Sequence, residues 1–195
     1  MTQPRRLVLA SSSRYRKVLL ERLGLAFETG VPGVDEAPLP GETPGDTALR
    51  LAARKAQALA GRYRDALIIG SDQVAVCEGE RLDKPGNYEN AVRQLRTLSA
   101  RAADFLTAVS VLDAASGALE SRLVPCRVHF RALDEAQIDS YLRREQPYDC
   151  AASARAEGLG IALIARIETD DPSALIGLPL IALTELLGRA GLRVL

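Results

Sequence analysis

The chain has 195 residues, 47% of them hydrophobic, and its Lys+Arg and Asp+Glu totals balance at 25 each. That length and apolar share bury a sizeable core, in one domain or two closely packed lobes, and exclude disordered and fibrous classes. The charge balance leaves no global positive field for a nucleic-acid backbone, so a bound phosphate depends on a local cluster.

No apolar run reaches the roughly 18 residues of a membrane span, and Met1 to Arg6 carries no apolar stretch of leader length behind it. A cytoplasmic protein with no membrane partner is expected. Cys77, Cys126 and Cys150 lie far apart without a CxxC pair and read as reduced thiols. His129 is the only histidine, in an alternating strand-like run, which excludes a multi-histidine zinc site and a histidine triad.

In chain order, Arg6 to Ala10 reads as a strand, Ser11-Ser12-Ser13 as a loop, and Arg14 to Leu23 as a helix stopped by Gly24. The free amides at that helix start suit an anion, with Arg14, Arg16 and Lys17 adding charge. Ser11 and Ser13 either contact phosphate or cap the helix. Leu25 to Thr29 reads as a second strand, and the proline-rich stretch from Val31 to Gly45 as an irregular loop bearing Asp35, Glu36 and Glu42. Asp46 is the expected cap of an alanine-rich helix in which Lys55 sits at the edge of the apolar face.

Leu67-Ile68-Ile69 reads as a buried strand that stops at Gly70, exposes Ser71, Asp72 and Gln73, and resumes as Val74 to Cys77. A carboxylate at the carboxyl end of such a strand is where open α/β folds place chemistry. Glu78-Gly79-Glu80 makes a hairpin turn that returns Lys84, and Asn87 starts a scaffolding helix. Phe105 to Leu112 and Leu119 to Phe130 form an expected antiparallel pair, Asp134 with Gln137 a capping box, and Pro179 the first turn of a last helix. The economical architecture is one mixed α/β unit over 1–195, a twisted sheet in two closely packed lobes with a central cleft.

Asp72, Glu36, Lys55, Lys84 and the basic helix start near Ser11 suit a polyphosphate bound with a divalent cation. Asp72 then acts as general base on water, as metal ligand, or as both. No Walker loop or dinucleotide fingerprint is present.

These segments, Ala10-Ser11-Ser12-Ser13-Arg14-Tyr15-Arg16-Lys17, Val34-Asp35-Glu36, Ala53-Arg54-Lys55-Ala56, Gly70-Ser71-Asp72-Gln73-Val74, Lys84-Pro85 and Gly177-Leu178-Pro179-Leu180, stand in the order and spacing of the Maf family. The chain resembles these nucleoside triphosphate pyrophosphatases over nearly its whole length, and within them the branch acting on 7-methyl-GTP. The resemblance implies a Maf/ITPase-like fold and hydrolysis between the α- and β-phosphates with Mg2+ or Mn2+. It implies Asp72 as the catalytic carboxylate; from the residue chemistry above, Glu36 and Asp72 are the expected metal ligands and Ser11, Ser13, Arg16, Lys55 and Lys84 the expected phosphate contacts. Tyr15, Gln73 and Glu157 would govern substrate choice: Tyr15 stacking on the cationic methylguanine, Glu157 accepting from its N1-H and amine. Ala152, Arg155 and Tyr15 depart from the branch, which commonly has Gly, Lys and Trp there. A homodimer is compatible with the sequence. The alternative is a nucleotide-binding regulator of a division or translation partner with little catalysis.

Overall fold

The computed structural model describes residues 5–195; the reading of Met1 to Pro4 as part of a leader-free start lies outside them. Among the described residues, five α-helices accompany a seven-stranded mixed sheet. The strands are β1 (Leu7–Ala10), β2 (Glu28–Gly30), β3 (Leu67–Cys77), β4 (Glu80–Arg81), β5 (Ala102–Asp113), β6 (Leu119–Phe130) and β7 (Ile164–Glu168). The helices are α1 (Arg14–Glu21), α2 (Pro44–Gln57), α3 (Tyr88–Leu98), α4 (Glu135–Glu145) and α5 (Leu180–Arg189). Sheet order is β2-β1-β3-β5-β6-β7, with β4 paired to β3. The pairings of β1 with β2 and β3 are parallel, and those of β3 with β4 and β6 with β7 antiparallel. No described helix is long and apolar enough to cross a membrane.

The chain divides into two compact units, one of residues 5–72, 107–124 and 171–195 and the other of 73–106 and 125–170. In the first, alternation on β1 and β3 feeds two cores. Leu7, Leu9, Leu67 and Ile69 pack with Leu19 and Leu20 of α1 and Leu183, Leu186 and Leu187 of α5. Val8, Ala10 and Ile68 pack with Ala56, Leu59 and Tyr63. Because both faces are covered, these strands read as continuous apolar runs rather than alternating ones.

Several elements differ from the sequence reading. The second strand covers three residues, since β1 offers it only Val8, Leu9 and Ala10, while Leu25 and Phe27 pack against the core instead. Thr43, not Asp46, caps α2: Pro44 needs no amide partner and starts the helix early, Thr43 Oγ1 accepts from Asp46 N at 3.2 Å, and Asp46 accepts from the Thr43 hydroxyl at 2.6 Å. Pro179 is the cap position of α5 rather than its first turn, and buried Asp171 supplies the missing acceptor, taking Ile181 N at 2.8 Å and Ala182 N at 3.3 Å. β7 was not anticipated.

The most consequential difference is at Gly70. β3 does not stop there but runs unbroken for 11 residues, and Ser71 and Asp72 are buried at 0% and 6% exposure rather than displayed. The glycine marks a close approach: a Cβ on it would lie 2.0 Å from Ala52 O and 2.8 Å from Ala56 N of α2. The Glu78-Gly79 turn, with both residues at positive φ, and the Asp134–Gln137 capping box are as the sequence reading has them.

Gly70→Ala should therefore push α2 off β3 and lower unfolding stability by about 3 kcal/mol, the upper range for overpacking. Urea denaturation of the variant measures this; an unchanged midpoint would mean that α2 yields freely.

Candidate active site

The helix–strand contact at Gly70 fixes the charged centre. Ala52 and Ala56 place α2 against β3, and Lys55, on the same helix face, is carried to within reach of Asp72 two residues past the glycine. Lys55 Nζ lies 2.6 Å from Asp72 Oδ1 and 2.6 Å from Glu36 Oε1. Lys55 is 5% exposed and Asp72 6%, whereas Glu36 presents more than half of its side chain to solvent. Two carboxylates thus converge on one ammonium, a local net charge of minus one.

Arg16 of α1 is a further cation near this centre. Its Nε donates to Gly177 O at 2.8 Å; burial pulls its pKa down, an effect opposed by the negative charges of Asp72 and Glu36. The Gly177 carbonyl lies also 2.9 Å from the Ser71 hydroxyl, which reaches Ala108 O at 2.8 Å. Gly177 holds φ at 114°, so this carbonyl is aimed by a backbone that only glycine adopts readily. At the start of α1, Ser13 takes the capping role, its Oγ accepting from Arg16 N at 3.4 Å, and Ser11 Oγ accepts from Ser13 N at 3.1 Å. Tyr15 has the Arg14 guanidinium over its ring at 4.8 Å from the centroid, and its hydroxyl accepts from Arg14 at 2.6 Å.

Gln73, Lys84 and Glu157 belong to the second unit. Gln73 is half-buried on β3 and Lys84 exposed. Glu157 sits in a framed segment. Arg155 bridges two acids, its Nη1 2.6 Å from Glu145 Oε1 and its Nε 3.3 Å from Glu157 Oε1. Glu145 Oε2 accepts from Leu159 N at 2.7 Å. Gly158 permits that approach, since a Cβ there would lie 2.8 Å from the Glu145 carboxylate.

The Maf-like protein family matches residues 6–190. The chain belongs to the Maf family. A protein named 7-methyl-GTP pyrophosphatase from Thiobacillus denitrificans is 57% identical over 189 residues, spanning 97% of this chain and 94% of that protein. Proteins of the same name from Cupriavidus pinatubonensis and Nitrosospira multiformis are 55% and 54% identical, covering 95% and 96% of this chain and 94% and 95% of theirs. Among solved structures, a HAM1 protein from Coxiella burnetii aligns at 14% identity with a TM-score of 0.42, over 82% of this chain and 98% of that one.

Sequence reasoning named Ala152 and Arg155 in the segment around Glu157 but missed the side chains that brace it. Ala152 and Ser153 both take left-handed backbone, φ 56° and 54°, where non-glycine residues are strained. The Tyr141 hydroxyl straddles this stretch, donating to Ser153 O at 3.0 Å and accepting from Arg155 N at 3.0 Å. Gln94 of α3 adds a second tie, accepting from the Ser153 hydroxyl at 2.5 Å and donating to Asp83 O, beside Lys84, at 2.8 Å. Read as scaffolding, α3 in fact connects the Lys84 and Glu157 segments of this unit. Helical spacing registers Tyr141 only as core and Gln94 only as surface, so neither carried a signal.

Tyr141→Phe keeps the ring and strands two backbone groups, one donor and one acceptor. Loss of about 2 kcal/mol is expected, with faster hydrogen exchange at the Arg155 amide; unchanged exchange there would show that the strained stretch is held by other contacts.

Proposed function

We propose that this protein hydrolyses 7-methyl-GTP between its α- and β-phosphates, giving the nucleoside monophosphate and pyrophosphate. The observation that carries the chemistry is the buried Asp72 held by Lys55 beside Glu36, in a chain 54–57% identical to relatives named for this activity. Asp72 is the group that accepts the proton of the attacking water as the new P–O bond forms and the α,β-bridging P–O bond breaks. Lys55 keeps the carboxylate oriented, and Arg16 adds positive charge toward the phosphates.

A divalent cation fits this donor set. Asp72 and Glu36 are hard oxygen donors that share one ammonium and retain an excess negative charge. Among the described residues no three or more His, Cys, Asp or Glu gather, and Mg2+ characteristically takes one or two carboxylates plus substrate phosphates and water. When bound, such an ion would neutralise charge developing on the phosphates. Ser11 and Ser13, at the basic start of α1, and Lys84 are assigned to the phosphates as hydroxyl and ammonium donors. Tyr15, Gln73 and Glu157 are assigned to the base, where the Glu157 charge favours a cationic methylguanine over neutral guanine. We place the reaction in the cytoplasm, on free nucleotide, without a nucleic-acid partner.

The test is pyrophosphate release from 7-methyl-GTP, GTP, UTP and dTTP with Mg2+ or Mn2+. Turnover should be highest on 7-methyl-GTP, and Asp72→Asn should lower it by about 10² to 10⁴-fold while the fold persists. Tight calorimetric binding of 7-methyl-GTP with no pyrophosphate released would instead establish a nucleotide-binding regulator. Glu157→Ala should reduce kcat/KM on 7-methyl-GTP by about tenfold or more, the value of a charged hydrogen bond, and less on GTP. Equal losses on both would remove Glu157 from base selection.

A further inference from the structure

Glu36 is the one member of the charged centre that neither a strand nor a helix holds. It stands in the irregular stretch before α2, where residues 35–41 are exposed throughout and bury too little apolar surface to fix the chain. Yet its carboxylate is placed 2.6 Å from the Lys55 amine. What holds the loop is polar, and it converges on one side chain of α2.

Arg50 donates from Nη2 to Ala37 O at 3.0 Å, the carbonyl of the residue directly after Glu36. The same guanidinium forks onto Glu42, Nε to Oε1 at 2.5 Å and Nη2 to Oε2 at 2.7 Å. Glu42 in turn accepts from Leu39 N at 3.0 Å and the Thr47 hydroxyl at 2.9 Å. Arg50 and Glu42 side chains are 18% and 9% exposed in the midst of an exposed loop. Hydrogen bonding from Arg50, then from Leu39 and Thr47, holds the Glu42 carboxyl down at about 2, so the pair stays charged throughout the working pH range. Asp72 and Asp35 are near enough to add to the stabilisation of the Arg50 charge. Arg50 Nη1 is buried with no protein partner, so the whole of its recognition runs through the two nitrogens that face the loop.

Arg50 and Lys55 are five residues apart on α2, about 7.5 Å along its axis. The helix therefore grips the loop at two points flanking the Glu36 peptide, one on the side chain and one on the next carbonyl. We propose that Arg50 is a positioning residue of this active site, setting through Ala37 and Glu42 the placement of the Glu36 carboxylate beside Lys55 and Asp72. The role rests on the pyrophosphatase reading above.

The test is steady-state kinetics of Arg50→Lys, Glu36→Gln and the double variant, on whichever nucleotide the wild-type protein turns over fastest. Lysine keeps the charge and removes the fork. Arg50→Lys should lower kcat on the order of 10²-fold, as a misplaced group does, with substrate KM changed less than about threefold. In the Glu36→Gln background the same substitution should add less than about a twofold loss, because Arg50 acts through Glu36. Losses that multiply, an unaltered kcat in Arg50→Lys, or a Glu36→Gln protein with full turnover each overturn the proposal. Glu42→Gln removes the pair but keeps the Ala37 contact; its smaller loss should likewise vanish on Glu36→Gln, and it carries the test if Arg50→Lys fails to fold. Asp72→Asn assayed alongside separates the two claims. Its full activity would remove the catalytic reading and Arg50's role together, whereas an inactive Asp72→Asn with multiplying Arg50 losses removes Arg50's role alone.

Discussion

The contact between the α2 backbone and Gly70 is the constraint on which the charged centre depends. A parallel strand flanked by helices ordinarily keeps its neighbours at side-chain distance. Here one strand position without a Cβ, facing Ala52 and Ala56, lets helix backbone meet strand backbone. The consequence is register. Lys55 lies between those two helix turns, and Asp72 lies two residues past the glycine on the same strand face, so the approach that buries the helix also sets the ion pair. The parallel pairing of β1 with β3 ends at Leu9 and Ile69, which leaves Asp72 just beyond the edge of that pairing, inside a strand that continues without it.

Such an ion pair is a poor investment if stability is its purpose. Taking two charges out of water costs several kcal/mol per ion, and a well-packed apolar pair of the same volume often does as well or better. The arrangement makes sense as chemistry. A buried carboxylate meets an ammonium directly, and that ammonium is shared with the more exposed Glu36, so one positive charge faces two acids. Arg16 and Arg50 surround the centre without contacting the Asp72 carboxylate in a hydrogen bond. Each is directed elsewhere, Arg16 to Gly177 O and Arg50 to Glu42 and Ala37 O, so neither takes up the oxygens of the two acids.

What the sequence discloses follows how local each interaction is. The Asp134 capping box and the Glu78-Gly79 turn rest on neighbours within a few residues, and the long β5–β6 pair on a short connection between two apolar runs, so pattern alone locates them. Thr43 was within the same reach, but Asp46 is an equally good capping type, and only the early helical start at Pro44 decides between them. Asp171 caps α5 from ten residues upstream, past a turn, and no spacing rule reaches that far. The Gly70 reading fails for a related reason: a glycine in an apolar run means either a break or a close approach, and the partner that distinguishes them, α2, is remote in sequence. Of the charged centre, Asp72, Lys55 and Glu36 were legible as residue types in suggestive places, while their convergence on one amine is tertiary. Arg50 was not legible at all, since an arginine on a helix followed by alanines reads as solvated surface.

The segment around Glu157 extends the same logic to the second unit. Ala152 and Ser153 occupy left-handed backbone that each L-residue resists by roughly 1–2 kcal/mol, and Ala152 is fully buried, so the strain is not relieved by simple exposure. The compensation is distributed: Tyr141 binds both ends of the stretch, Gln94 takes the Ser153 hydroxyl, and Ala152 N donates to Leu82 O at 3.2 Å. Where glycine would adopt this backbone freely, alanine makes it stiffer once formed, because fewer alternative conformations compete. Arginine at position 155 has a complementary effect. Its planar fork engages Glu145 and Glu157 together, which a lysine ammonium cannot do with two separated, directed donors. The two departures from the branch pattern therefore act in one direction. They trade backbone freedom for a fixed frame around Glu157 and place a positive charge beside it.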